Sequence, residues 1–402
     1  MKTIPKTLVL IILAGTALTP PAWAGDVPPV VQALLANWKA QLQIAPTYES
    51  IKDDGAGNII IAKLAVSKAA EGPTPAMNLL INEIELEGVS DTGNGIFEIG
   101  KASFAGAKVD IKGADGMDIS VAMTEGIAEG WYVKAAGDNP TPEEALRAAM
   151  NVAKKMSSGK ITAQAMGQTI TSDGYESTWD GDPQTGAGSF TTKVSNVAIP
   201  ETAIAMIDPT GTLKQLGYAG LNFDVTGDGK IDIGDGKMGL TMNFAYIGKD
   251  MGALKFSFDA GEVPLSLYGE LQKAQATGKE PDIAAMMPEL QNVTLGGVSF
   301  RFEDNSITKK VLPLIAAMQG MDEAAMVANA GAMMQIGLMQ LNNQAFTDQV
   351  VGAVNSFLKD PKSITVSMKP SAPLKVQELM TLNPANPGEA VGMLGVSITA
   401  ND

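Results

Sequence analysis

LLINEIELEGVSDTGNGIFEIG (79–100) holds a strand-like segment, a polar turn and a second strand-like segment. Ile81, Ile84 and Leu86 read as the inward positions of the first segment, LLINEIELEGV (79–89). Thr92-Gly93-Asn94-Gly95 then supplies residues that accept positive φ, and a new strand opens. The same Gly-x-Gly device precedes a strand-like run in DGAGNIIIA (54–62), TGAGSFTTK (185–193) and TGDGKIDIG (226–234). A turn-plus-strand unit that recurs at irregular spacing points to an extended β scaffold.

Other runs alternate with period two: IIIAKLAVS (59–67), KVDIKGADGMDISVAM (108–123, turning at Ala114-Asp115-Gly116), GLNFDV (220–225), KMGLTMNFAYIG (237–248), GALKFSFDAG (252–261), SITVSMKP (363–370) and MLGVSITA (393–400). Helical patterns interrupt them. PPVVQALLANWKAQLQ (28–43) places Val31, Leu34, Leu35, Trp38 and Leu42 on one face. TPEEALRAAMNVAKKM (141–156) opens with a Thr141/Glu144 capping box. Residues 201–216 and 264–277 are weaker helices, and 307–359 is a long helical region with a break near Asn342-Asn343. The expected fold is α+β and β-dominated. Extended antiparallel meander sheets carry amphipathic and Met-rich helices on one face.

Residues 1–24 read as a secretory signal peptide: basic Lys2 and Lys6, apolar LVLIILAGTAL (8–18), and Ala22-Trp23-Ala24 before the cut. The apolar run is short for a bilayer span, and no later stretch reads as a transmembrane anchor. The rest, 25–402, is one large β-rich unit, or two lobes, 25–198 and 199–402, cut near AIPETAIAMIDPT (198–210). The expected location is the periplasm.

The formal charge is −15, and loss of Lys2 and Lys6 deepens it, so nucleic acid is not an expected partner. The chain has no His and no Cys. That removes Ser-His-Asp triads, thiolate chemistry, disulfides and zinc sites built on either residue. Carboxylate pairs, Ser-Lys arrangements and oxygen-ligated metals survive.

DVTGDGKIDIGDG (224–236) is the one metal-like stretch. Counted as an EF-type loop, it offers Asp224, Thr226, Asp228, the Lys230 carbonyl, Asp232 and Asp235 to calcium, with Gly229 at the sixth position. Against that, a strand follows instead of a helix, and the sister copy at 92–100 lacks the ligands. A plain turn and a calcium loop both remain open. Ser-x-x-Lys at Ser157/Lys160, Ser306/Lys309 and Ser356/Lys359 lacks its partner motifs and reads as coincidence. Glu143/Glu144 and Asp180/Asp182 are the candidate general acid/base pairs. Glu143 and Glu144 are adjacent on a helix, so their side chains diverge, and they suit its N-terminus. Asp180 and Asp182 lie in SDGYESTWDGDPQTG (172–186), which reads as a polar loop with Tyr175 and Trp179 that could face a sugar. VLPLIAAMQGMDEAAMVANAGAMMQIGLMQL (311–341) carries Met318, Met321, Met326, Met333, Met334 and Met339. It reads as a core helix under the sheet, or as a deformable lining for a lipid tail or partner helix.

The order of Trp38 helix, Gly-turn strands such as INEIELEGVSDTGNGIFEIG (81–100), then ITKKVLPLIAAMQG (307–320), DPKSITVSMKPSAPL (360–374) and LGVSITAND (394–402) resembles uncharacterised secreted β-rich envelope proteins of alphaproteobacteria. More distantly it is similar to AsmA-like proteins. The resemblance implies a periplasmic, non-enzymatic role near lipid, and assigns no residue. The expected function is thus a binding or scaffold protein of the envelope, its partner a lipid or an envelope protein. A calcium-stabilised module and a carboxylate enzyme are the alternatives.

Overall fold

The computed structural model describes residues 27–42, 44–70, 75–113, 118–134, 141–150, 152–277, 282–382 and 387–402. The signal segment 1–24 and the turn at Ala114-Asp115-Gly116 lie outside the described residues. The protein is β-dominated α+β, with large antiparallel sheets and several helices.

In chain order the first elements are α1 (Pro29–Leu42), β1 (Ser50–Asp53), β2 (Ile59–Lys68), β3 (Ala76–Gly93), β4 (Ile96–Lys112), β5 (Asp118–Lys134), α2 (Pro142–Ala149), β6 (Val152–Ser158), β7 (Ile161–Ala165), β8 (Gln168–Ser172), β9 (Gly174–Gly181) and β10 (Gly188–Ile199). Then follow α3 (Glu201–Ile207), α4 (Thr212–Gln215), β11 (Leu221–Gly234), β12 (Lys237–Gly248), β13 (Gly252–Pro264), α5 (Leu265–Thr277), α6 (Ile283–Leu290) and β14 (Thr294–Asp304). Last come α7 (Ile307–Met318), α8 (Glu323–Leu338), a 3₁₀ turn, α9 (Gln344–Lys359), β15 (Ser363–Met368), β16 (Leu374–Lys375), α10 (Val376–Met380), α11 (Pro387–Met393) and β17 (Val396–Ala400).

Two compact units result. One comprises the described residues up to Phe190 with Ile233–Gly236 and Pro264–Met286; the other comprises Thr191–Asp232, Lys237–Val263 and Met287–Asp402. The cut falls near the Pro200 region read from sequence, but 233–236 and 264–286 join the first unit.

In the first unit β1 to β5 form an antiparallel meander, with β6 and β7 sharing the far edge of β5. Val30, Val31, Ala33 and Leu34 of α1 pack on Ile61, Leu64, Ile84, Leu86, Ile99 and Trp131. The long strands hold this face by changing phase. β2 buries Ile59 and Ile61, then Leu64 and Val66, with Lys63 at φ 48° between them. β4 buries Ala102 and packs Phe104, then Ala107, across Gly106 at φ 62°. One residue outside the extended region resets the two-residue alternation. The resets line up: Lys63 faces Asn82, which faces Gly106, which faces Thr124. A second row runs Gly57–Gly88–Gly100–Gly130, with φ of 92°, 64° and 57° at Gly57, Gly88 and Gly130. Because neighbours shift together, the apolar face stays on one side.

Several expectations need correction. The helix from Thr141 stops at Ala149, and Val152–Ser158 is a strand. The capping box forms, with Glu144 N–H donating to Thr141 Oγ1 at 3.2 Å and Thr141 N–H to Glu144 Oε2 at 2.9 Å. Pairing with β5 and burial of Val152 and Ala153 outweigh the helix propensity of VAKKM. The polar stretch 172–186 contains β9. In 307–359, the break is sharp, with Asn342 at φ 49° and Asn343 capping α9. Strands β6 to β9 carry no clear alternation and emerge only in the structure. The structure also adds β14, which alternates at Val298, Phe300 and Phe302, and α6, which opens on Asp282 accepting from Ala285 N–H at 3.1 Å.

Candidate apolar binding face

The second unit contains a sheet in which β14 pairs with β13 and β15, and β15 pairs with β17. Directly opposed residues in antiparallel strands share a face. One face is therefore a grid of three rows. Leu254, Phe302, Ile364 and Ala400 form the first; Phe256, Phe300, Val366 and Ile398 the second; Phe258, Val298, Met368 and Val396 the third. Every member is apolar. The reverse face carries Lys255, Arg301, Thr365 and Thr399 in one row, and Ser257, Ser299, Ser367 and Ser397 in the next.

The polar side carries a charged hydrogen-bond network. Arg301 donates to Glu303 (2.9 Å), Thr365 (2.9 Å) and Asp402 (2.6 Å), and Lys255 donates to Glu303 (2.8 Å). Hydrogen bonds from Lys255 and then Arg301 hold the Glu303 carboxyl below the usual carboxylate range. The same partners raise Arg301, Glu303 before Asp402.

The apolar side is only half covered. Helix α9 packs on β15 and β17, with Phe357 edge-on to Phe302 at 6.0 Å. Beyond that contact, Leu254 (43% exposed), Phe256 (38%), Phe300 (48%) and Val366 (46%) stay open. At one end the face deepens into a hollow of about 330 Å³, lined by Leu221, Phe223, Tyr246, Met251, Leu254, Phe302 and Ile307. Its backbone frame is tied by Ile307 N–H to Met251 O (3.3 Å) and Asn305 N–H to Met251 O (3.1 Å). Lys310 sits 4.1 Å above the Tyr218 ring, whose hydroxyl donates to Asp250 O at 2.9 Å.

The Met-rich helix is not the core helix that its composition suggests. Helix α8 packs on α9 and α7, and Met318, Met333, Ile336 and Met339 are 66–79% exposed. Gly331 permits the approach to α9, since a Cβ there would lie 2.9 Å from the Asn355 amide. A hollow of about 550 Å³ separates these helices, edged by Leu312, Val327, Gly331, Val351 and Leu358. By length and composition alone, Glu323–Leu341 is the one helix among the described residues long and apolar enough to cross a membrane, with mean hydropathy 1.2.

All the calcium candidates but Asp235 lie on a strand, not a loop. Leu221–Gly234 is continuous β structure, and the turn to β12 is Asp235-Gly236, both at positive φ. At about 3.3 Å per residue, Asp224 and Asp235 stand far too far apart to share an ion. The acids have other partners: Asp224 accepts from Asn196 N–H (2.7 Å), Asp228 from Asn243 Nδ2 (2.8 Å) and Asp232 from Lys230 (2.7 Å). Thr226 follows the same strand. Gly227 is glycine for space: a Cβ would come within 2.9 Å of the Phe244 ring and the Thr192 methyl. That packing demand, not a turn, explains the glycine, and it is invisible without the partner strand.

The other candidates do not converge either. Glu144 closes the capping box and Glu143 lies beside it in the first helical turn. Asp180 is the penultimate residue of β9, while Asp182 is spent on its own turn, accepting from Gln184 N–H and Thr185 Oγ1, each at 2.9 Å. Those bonds, the first above all, hold its carboxyl low. Arg147, 2% exposed, donates to Pro183 O (2.7 Å) and Tyr132 O (3.3 Å), and burial lowers its pKa to about 10. None of the three Ser-x-x-Lys pairs brings Nζ to Oγ; Ser306 Oγ donates to Asp250 O instead, and Ser356 accepts from Asn401.

A sequence-family model described only as an uncharacterized protein matches residues 245–401. That is under half of the chain, yet it contains the whole apolar grid. No curated protein matches.

Proposed function

We propose that this chain is a non-enzymatic binding protein of the periplasm, and that its second unit holds an apolar chain, such as a lipid acyl tail, against β13, β14, β15 and β17. The observation that carries the reading is the twelve-position apolar grid, with four large side chains on it left 38–48% exposed. Contiguous apolar surface of this kind marks an interaction site. The hollow at Tyr246 and Met251 gives the ligand an end pocket with almost no polar lining. Exposed methionines on α7 and α8 supply adaptable contact nearby within the same unit. Burial of each methylene on such a surface is worth about 0.8 kcal/mol. The acidic balance of the chain favours an uncharged tail over recognition of an anionic headgroup.

The test is native mass spectrometry of 25–402 purified from its own periplasm without detergent, with displacement of a fluorescent fatty acid as the second readout. Adducts in the lipid mass range, lost in a Phe256→Ser/Phe300→Ser variant that still folds, support the reading. A bare mass with no fluorescent-ligand uptake sinks it and turns attention to protein partners.

A further inference from the structure

The first unit carries a second, chemically opposite surface. At the far end of its meander the core face holds Met77, with Leu79, Val109 and Ile111 packed on Ile44 and Val66. The reverse face there is a polar trough of about 730 Å³. Its floor is one transverse row. Asn78 faces Asp110, Asp110 faces Ser120, Ser120 faces Gln164, and Gln164 faces Thr169. All five line the trough. Neighbouring strands are about 4.8 Å apart, so the row offers one polar side chain per step over about 19 Å.

We infer that this trough binds a neutral, hydroxyl-rich chain, an oligosaccharide, laid across the strands of β3, β4, β5, β7 and β8. The side chains of Asn78, Gln164 and Thr169 are exposed and line the trough, so their donors and acceptors can reach a ligand. Asp110 is fixed as an acceptor: Lys108 lies 2.9 Å away, and hydrogen bonds from Lys108 and then Ser120 keep its carboxyl low. Fixed carboxylate and amide groups suit paired hydroxyls. Charge supplies the next argument. Lys108 and Lys112 balance Asp110 and Asp118 within the trough, leaving no excess for a phosphate or an acidic sugar, and the chain as a whole repels anions. Geometry disfavours an extended peptide, which adds to a sheet edge through its backbone, whereas this is a face offering side chains only. The hairpin at Met166-Gly167, with φ of 52° and 74°, closes the rim with a tight two-residue turn.

The experiment is isothermal titration of residues 25–402 with two neutral hexasaccharides, chitohexaose and maltohexaose. Hexagalacturonate and a Gly/Ser/Thr peptide are the comparators. At least one neutral hexamer binds, its trimer binds more weakly, and Asn78→Ala/Gln164→Ala weakens the hexamer about tenfold while the circular dichroism spectrum holds. Both replaced side chains are solvent-exposed, so folding is not at stake. Silence with both neutral hexamers overturns the inference. So does an unchanged affinity in the double variant, or tighter binding of the peptide or the acidic sugar.

Discussion

Phe300 lies directly across the β13–β14 ladder from Phe256, and both rings stand more than a third exposed on the same face. Aromatic cross-strand pairs stabilise a sheet modestly, but a folded chain has no thermodynamic reason to leave two of them wet. Replacing either by Ser should change unfolding free energy by less than about 1 kcal/mol, because little buried area is lost. Binding of a fluorescent fatty acid should fall about tenfold for the pair. Chemical denaturation and ligand titration on the same samples separate the effects. A large stability loss with unchanged binding would mean the rings are structural.

Gly106 faces Asn82 at φ 62°, and a Cβ would collide with the Asn82 amide. Gly106→Ala should cost about 1–3 kcal/mol from backbone strain and that clash. Gly337→Ala, on the exposed surface of α8 with nothing within 4 Å, should be neutral or stabilising by up to about 1 kcal/mol. Urea melts of the two variants should diverge in opposite directions. Equal midpoints would refute the assigned strain.

Thr141→Ala removes a cap that also positions Glu144. The expected loss is about 1 kcal/mol, read as a lower midpoint in the same melts. Arg147→Met should be more damaging if its bonds to Pro183 O and Tyr132 O fix the β9–β10 turn against β5. Leaving those half-buried carbonyls without the guanidinium costs about 1 kcal/mol or more.

With no His, nothing among the side chains titrates at its ordinary pKa between about pH 5 and 8. Stability should be flat across that window. Asp110, Asp182, Asp208 and Glu303 all sit below their ordinary values, first through hydrogen bonds from Lys108, from Gln184 N–H, from Leu213 N–H and from Lys255, respectively. Their folded forms bind protons less readily than the unfolded chain does, so their contribution is complete above the ordinary carboxylate range and is lost as pH falls through the depressed values. Thermal melts against pH should bend below about pH 4. A midpoint of loss near pH 6 would contradict this.

Calcium should leave the melting temperature unchanged, and so should EDTA, because 224–234 is a strand whose acids point at separate partners. A rise on adding calcium that Asp228→Asn abolishes would overturn the strand assignment of those ligands.

The sequence showed the meander because β2, β3 and β4 need a buried face, and that demand is written in Ile, Val and Leu spacing. Ile81 and Ile84 break strict alternation, and the reason, a reset shared with Lys63 and Gly106, belongs to the neighbouring strands. Strands β7 to β9 lack an apolar period, so local reading took 172–186 for a loop and found no strand before it. TGDGKIDIG looked like its sister TGNGIFEIG because glycine signals both a turn and a close approach. Only the Phe244 ring over Gly227 tells the two apart. The apolar grid was half legible. GALKFSFDAG and SITVSMKP showed their alternation, but which face stayed uncovered depends on α9, whose placement no local pattern encodes.

The two transverse rows in the first unit act as the notches of a key. A strand that slides by two residues keeps its greasy side inward and would pass any test of hydrophobic pattern. It would also set Gly88 against a residue with a side chain and move Asn82 away from Gly106. Because the rows cross the same strands at two separate levels, only one alignment of β2 to β5 seats both. Strands of seventeen residues, long enough to pair in several ways, thereby carry their own proofreading.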